Sequence, residues 1–181
     1  MQHTPTTIIR FQTMHQVTDD SGFLALVVPT TYPSFVDSDW TLDQIVAHFK
    51  TQMARRSLLI WGTGLEGRWN VEVVLTPTTA QGFREVTGPL HVVGGHVLLS
   101  SYDSLTMAAQ FDDVVLPEKH EQHLLLPVPE GAYACRIIQM FDPDDFDYDD
   151  SSDTAHFIIE LTKTSADVAP WTEIPWNDSR L

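Results

Sequence analysis

Residues 142–153 hold the densest group of charged side chains in the sequence. Seven of these twelve positions are aspartates, namely Asp142, Asp144, Asp145, Asp147, Asp149, Asp150 and Asp153. No lysine or arginine occurs between Arg136 and Lys163. The whole chain has a formal net charge of −15, and −15 + 7 = −8 remains without the seven aspartates. Such a surface repels nucleic acid and anionic membranes, and it attracts cations or a basic protein.

The aspartates resemble a calcium-binding loop only in part. Asp145, Asp147 and Asp149 match positions 1, 3 and 5 of an EF-hand loop. The sixth position is Asp150, where the sharp turn needs glycine, and the twelfth is His156, where a bidentate glutamate belongs. An EF-hand is therefore excluded, and no metal ligand is assigned here.

Three interpretations of the aspartate segment remain open. It is a solvated loop between two strands, an irregular cation site, or a contact surface for a basic partner. Phe146 and Tyr148 alternate with the aspartates, which is unusual for a purely solvating segment. Aromatic side chains within a contact surface supply much of its binding energy. We therefore take the seven aspartates, Phe146 and Tyr148 as the predicted partner-binding residues.

Other short motifs fail on their context. Gly62–Gly67 matches the dinucleotide-binding pattern G-x-G-x-x-G, which needs a helix N-terminus directly after it to bind the phosphates. In residues 68–75, however, apolar and polar side chains alternate, which predicts a strand and favours a β-to-β loop. The segment 120–123 (HEQH) is shorter than the zinc motif H-E-x-x-H and predicts two exposed histidines. His91 and His96 flank Gly94-Gly95, which predicts a hairpin with structural histidines.

Nothing in the sequence predicts a catalytic residue or a cofactor. Cys135 is the single cysteine and lies in a strand-like segment, which favours a buried inert thiol. The chain has no G-x-S-x-G motif, and Ser100 and Ser101 have no local sign of a base. We expect a protein that is not an enzyme.

The pattern of apolar residues predicts a mainly β fold, an antiparallel β-sandwich of about ten strands with one amphipathic helix. The helix is predicted over about 41–56, with a capping box formed by Thr41 and Gln44 and an apolar face of Leu42, Ile45, Val46, Phe49 and Met53. Strands are predicted over 7–17, 22–28, 57–61, 69–75, 83–92, 96–102, 111–116, 122–128, 132–141 and 155–164.

Residues 1–164 are predicted to form the single sandwich domain, and 165–181 an irregular C-terminal tail. The tail contains Pro170, Pro175, Trp171 and Trp176 and has no periodicity, so its tryptophans either anchor it to the domain or bind a partner. Residues 1–11 lack the apolar run of a signal peptide, and no window approaches the ~20 apolar residues of a membrane span. The expected location is the cytoplasm.

Three segments resemble the competence protein J family. They are Gly88-Pro89-Leu90-His91-Val92, the following turn and strand over 95–100, and residues 125–135 (LLPVPEGAYAC). Asp39-Trp40-Thr41 is similar to a helix start in the same family. The resemblance covers about half of the chain and implies a small cytosolic β protein that binds and inhibits a nuclease.

The leading hypothesis is thus a bacterial cytoplasmic interaction module, an inhibitor or immunity-type protein with a basic partner such as a nuclease. Carboxylates at the spacing of phosphates compete with nucleic acid for a basic groove and speed association at low salt. The alternative is a β-sandwich that binds a divalent cation or a small ligand through residues 142–153. The oligomeric state stays open.

Overall fold

The structure is a computed structural model, and it describes residues 14–148, 153–178 and 181. Within these residues the chain forms nine strands, two α-helices and two short 3₁₀ helices. The strands are Met14–Asp19 (β1), Phe23–Val27 (β2), Leu58–Gly62 (β3), Gly67–Val74 (β4), Arg84–Val92 (β5), His96–Ser101 (β6), Leu125–Pro127 (β7), Gly131–Gln139 (β8) and Phe157–Lys163 (β9). The helices are Leu42–Ala54 (α1) and Tyr102–Gln110 (α2), and the 3₁₀ helices are Lys119–Leu124 and Pro143–Asp145.

The strands form two sheets. A five-stranded sheet has the order β1-β4-β9-β8-β5, and a four-stranded sheet has the order β3-β2-β6-β7. Every neighbouring pair is antiparallel except β4 and β9, which run parallel. One apolar cluster contains buried residues of both sheets, among them Leu26 and Trp61 of the smaller sheet and Trp69 and Ile159 of the larger one. The predicted β-sandwich is therefore confirmed, with one parallel pair in it.

Helix α1 begins where its sequence predicts. Thr41 and Gln44 form the capping box: the Thr41 hydroxyl accepts from the Gln44 backbone N–H, and the Gln44 side chain accepts from the Thr41 backbone N–H. Ile45, Phe49 and Met53 are fully buried. Leu42 is 47% exposed, so its prediction as a core residue is wrong. It lies on the same helical face as Phe49 and Met53, but it stands at the first helical position, at the end of the helix, where the chain covers it less.

Two parts of the predicted order of elements are wrong. Residues 111–116 are irregular, and the segment before them is helix α2. The apolar face of α2 is built of Leu105, Ala108 and Ala109, and small alanines make a weak helical pattern. Of the predicted strand 122–128 only Leu125–Pro127 is a strand, because residues 119–124 form a 3₁₀ helix. Most of the predicted strand 7–17 lies outside the described residues.

The predicted hairpin at Gly94-Gly95 is also wrong. Both glycines have a positive φ, of 83° and 74°, and they form a tight turn. The turn nevertheless connects β5 of the larger sheet with β6 of the smaller sheet. His91 lies opposite Ala132 and His96 opposite Pro127, so the two histidines are not cross-strand neighbours.

No helix in the described part of the chain is long and apolar enough to cross a membrane.

Candidate functional site: an anchored acidic loop

The aspartate segment lies in the connection between β8 and β9, at one end of the larger sheet. The Asp142 side chain accepts a hydrogen bond from the Asp144 backbone N–H at 2.9 Å and caps the 3₁₀ helix Pro143–Asp145. Asp144, Asp145, Asp147 and Asp153 are exposed, and Asp142 is half-buried. Asp149 and Asp150 lie outside the described residues. The described part of the loop thus presents four exposed carboxylates to solvent.

Phe146 points inward and fixes the loop to the domain. Its ring lies 4.3 Å from the ring of Phe141, 5.8 Å from that of Trp69 and 5.6 Å from that of His156, measured between centroids. Trp69 is fully buried, so this aromatic cluster continues into the core. Phe146 therefore positions the loop, and the exposed aromatic side chain is that of Tyr148.

Tyr148 is 43% exposed, and its ring lies flat against the surface of the domain. Its ring stacks on His156 with a centroid distance of 6.5 Å and an interplanar angle of 15°. Its hydroxyl donates to the backbone carbonyl of Arg68 at 3.3 Å. One face of the ring is held against the protein, and the side chain offers apolar area beside Asp147.

His156 closes the loop at its C-terminal end. Its Nδ1 accepts a hydrogen bond from the Asn70 backbone N–H at 2.8 Å, and its own backbone N–H donates to the Asn70 carbonyl at 2.8 Å. An Nδ1 that accepts cannot carry a proton, and burial lowers the pKa of the ring below its usual value. The neutral imidazole therefore belongs to the folded state.

A basic side chain from β5 reaches the loop, although none occurs in its own sequence segment. Burial lowers the pKa of the Arg84 guanidinium, and the nearby charges of Asp178, Asp142 and Asp144 oppose that effect. Its guanidinium stacks over the ring of Trp176 at 4.5 Å, and its Nε donates to Gln139 Oε1 at 2.6 Å. The positive charge of Arg84 thus lies near Asp142 and Asp144, at the start of the loop.

A hollow of about 460 Å³ adjoins the loop beside Tyr148. Asp20 from the turn after β1, Glu66 from the turn before β4, Arg68 and Phe146 are among the residues that line it. Asp20 and Glu66 are exposed and extend the acidic surface beyond residues 142–153. The predicted partner-binding segment is therefore one part of a wider acidic surface.

The described aspartates of the loop do not converge on a metal position. Among the residues that the structure describes, no three carboxylates of the loop bring ligand oxygens within 4.8 Å of one another. The Gly62–Gly67 segment is a loop from β3 to β4, with no helix N-terminus for a phosphate. The β-to-β interpretation of that segment is correct.

The sulfhydryl and hydroxyl groups considered as nucleophiles have structural surroundings. Cys135 is fully buried, and burial raises the pKa of its thiol. Ser100 is fully buried and donates to Glu121 Oε1 at 2.8 Å. Neither group is placed to attack a substrate from solvent.

The tail lies against the domain through both tryptophans. The Trp171 Nε1–H donates to the Thr87 carbonyl at 2.8 Å, and Trp176 stacks with Arg84. The Gly62 backbone N–H donates to the Pro175 carbonyl at 2.9 Å. The described tail residues 165–178 contain no helix or strand.

Three carboxylates that the sequence patterns did not indicate are buried, namely Asp19, Glu121 and Glu160. Asp19 is fully buried and accepts hydrogen bonds from three backbone N–H groups at 2.7–3.1 Å, from the Thr63 hydroxyl and from the Trp69 indole. Burial raises the pKa of Asp19, and the hydrogen bonds from the three backbone N–H groups and the Trp69 indole oppose that effect. The turn sequence Asp19-Asp20-Ser21-Gly22 is a signal for such an aspartate. Glu121, within the HEQH segment, is only 3% exposed.

The arrangement defines a class of protein: an acidic, two-sheet β protein with an anchored, exposed carboxylate loop. Solved structures that share the fold include one described as "Crocagin biosynthetic gene J", with a TM-score of 0.55 and 11% identity over 83% of this chain and 95% of that chain. Another is ComJ from Bacillus subtilis, with a TM-score of 0.51 and 12% identity over 88% of this chain and 100% of that chain. Its structure is described as that of an inhibitor of the DNA-degrading activity of NucA.

The resemblance to the competence protein J family is thus confirmed at the level of the fold. No protein-family model matches the chain, and no curated protein matches it in sequence.

Proposed function

We propose that this protein is a non-enzymatic inhibitor or immunity-type module of the bacterial cytoplasm that binds a basic protein, such as a nuclease, through its acidic loop. The observation that carries the proposal is the anchoring of the loop: Phe146 is packed in the aromatic cluster, so that Asp144, Asp145 and Asp147 stand exposed at defined positions. A loop that is ordered before binding loses less conformational entropy in the complex.

The fold supports the inhibitor part of the proposal. ComJ, described as an inhibitor of a DNA-degrading enzyme, has the same fold over 88% of this chain. An inhibitor of this kind acts by presenting a surface that is complementary to the surface of its target. A β-sandwich can serve as the rigid body that carries the binding loop.

The electrostatics support the basic partner. A net charge of −15 raises the association rate with a positively charged protein, and the exposed carboxylates direct the encounter. A nuclease groove that binds phosphates presents lysine and arginine at the surface. Tyr148 then adds a rigid aromatic contact that lengthens the life of the complex.

The experiment compares two variants of equal charge. The loop variant carries Asp144→Asn, Asp145→Asn and Asp147→Asn, and the control carries Asp43→Asn, Asp112→Asn and Asp113→Asn, three exposed acids outside the loop. Their association rates with NucA, and with any nuclease encoded beside the gene of this chain, are measured by surface plasmon resonance at low and at physiological salt. DNA degradation by each nuclease is followed in parallel.

We expect the wild-type protein to slow DNA degradation. The loop variant should associate on the order of tenfold more slowly at low salt, and the control should stay within about twofold of wild type. Tyr148→Ala should speed dissociation instead. Equal association rates for the two triple variants would contradict the role of the loop, and undiminished DNA degradation with every nuclease would contradict the inhibitor function.

A further inference from the structure

A second group of ligand-type side chains lies at the 3₁₀ helix 119–124, outside the acidic loop. The group consists of Glu118, immediately before this helix, and of His120 and Glu121 within it. One ligand atom of each residue lies within 4.8 Å of the ligand atoms of the other two. His120 Nδ1 lies 3.7 Å from Glu118 Oε2. Two carboxylates and one imidazole therefore face a common point.

Glu121 is the buried member of the group. Its side chain is 3% exposed, and Oε1 accepts a hydrogen bond from the Ser100 hydroxyl at 2.8 Å. Oε2 is buried as well, and no donor in the described part of the chain reaches it. A buried carboxylate oxygen with no partner is costly, and native structures seldom leave one without a hydrogen bond, a positive charge or a metal.

No positive charge from the described residues is paired with Glu121, since no lysine, arginine or histidine among them forms an ion pair with it. Arg68 and His123 line the same cavity, of about 520 Å³, without such a pair to Glu121. The cavity gives solvent and ions a path to the carboxylate, because Glu121 and His120 both form part of its wall.

We propose that Glu118, His120 and Glu121 bind a divalent transition-metal ion, with Zn²⁺ as the ion that fits this donor set best. Zinc accepts imidazole nitrogen and carboxylate oxygen together, whereas Ca²⁺ and Mg²⁺ prefer oxygen ligands alone. A metal charge beside Oε2 would satisfy the one oxygen of Glu121 that has no donor. Three protein ligands leave a coordination position for water or another ligand.

To bind one zinc ion, the three ligand atoms, which now lie within 4.8 Å of one another, must move slightly closer together. Metal–ligand bonds of about 2.0–2.1 Å in a tetrahedral site place ligand atoms about 3.3–3.4 Å apart. The His120 side chain is 69% exposed and that of Glu118 is 23% exposed, so both have room to move onto the buried Glu121. Glu121, held by Ser100, supplies the fixed position of the site.

The test is calorimetric titration of the full chain, without a histidine tag, with zinc chloride. The variants are His120→Asn and Glu121→Gln, and the control is His96→Asn, an exposed histidine outside the group. The protein substituted with Co²⁺ provides an independent reading, because its visible absorption reports ligand number and type.

We expect one zinc ion per chain with a Kd of about 10 µM or tighter. His120→Asn and Glu121→Gln should each weaken binding roughly tenfold or more, and His96→Asn should leave it unchanged. Since His120 is exposed, its variant stays informative even if Glu121→Gln fails to fold.

Three results would overturn the proposal: no saturable zinc binding below millimolar concentration, equal binding by the His120 and His96 variants, or Ca²⁺ binding as tight as that of Zn²⁺. The group uses none of the loop aspartates, so these results do not bear on the inhibitor function.

Discussion

Replacing Gly62 with alanine tests how the tail is held against the sandwich. Gly62 is the last residue of β3, and a Cβ built on it would lie 1.9 Å from the carbonyl oxygen of Trp176 and 2.7 Å from the carbonyl carbon. Both are backbone atoms, so no side-chain rotation relieves the contact. We expect the segment around Trp176 to move away from β3.

The cost follows from the contacts that this movement breaks. The hydrogen bond from the Gly62 N–H to the Pro175 carbonyl, 2.9 Å long, contributes about 1 kcal/mol. The stacking of Arg84 on Trp176 at 4.5 Å contributes about 0.5–1 kcal/mol at a partly exposed site. The free energy of unfolding should therefore fall by about 2 kcal/mol. If Ile174, which is 5% exposed, also leaves the core, the loss should reach about 4 kcal/mol.

Urea unfolding followed by circular dichroism measures this loss, and limited proteolysis reports whether the tail has become accessible. A matched control carries the same substitution in a chain that ends at Ala169. There the colliding carbonyl is absent, and the substitution should cost at most about 0.5 kcal/mol. A full-length variant with an unchanged unfolding midpoint and a protected tail would refute the close backbone contact and the reasoning built on it.

Two further predictions concern stability. Phe49→Ala on α1 should lower the free energy of unfolding by about 3–5 kcal/mol, because Phe49 is fully buried. Leu42→Ala, at an exposed position of the same helix, should change it by less than about 0.5 kcal/mol. Equal effects of the two variants in urea unfolding would contradict the packing of α1. Stability should fall as the pH drops below about 6.5, because burial lowers the pKa of His156 and His48 and the unfolded chain then binds the extra protons. Each histidine changes the free energy of unfolding by at most about 1.4 kcal/mol per pH unit. His156→Gln should therefore make the measured dependence of stability on pH shallower. An unchanged slope would show that His156 is not held neutral.

Features that depend on neighbouring residues are predictable from the sequence of this chain. The capping box of α1 needs only Thr41 and Gln44, three positions apart, and the structure forms it as expected. The alternation of apolar residues in β4 and the punctuation by glycine, proline and aspartate predict many short strands without covering helices. The mainly β fold with two sheets follows from this pattern.

Features that depend on distant residues are not predictable in this way. The Gly94-Gly95 turn has the local sequence of a hairpin, yet β5 pairs with β8 and β6 pairs with β2 and β7. Whether a tight turn joins two strands of one sheet or passes between sheets depends on which strand is available at each edge. That choice is made by the packing of the whole domain.

The candidate sites divide along the same line. The sequence by itself determined the charge of the loop, because seven aspartates within residues 142–153 carry it in any fold. Only the tertiary structure decided that Phe146 turns inward onto Trp69, that the Arg84 charge lies near Asp142, and that Glu121 is buried against Ser100. These partners are 21 to 77 positions apart along the chain. Charge is a sum over residues, whereas burial and pairing arise from contacts that exist only once the two sheets have packed.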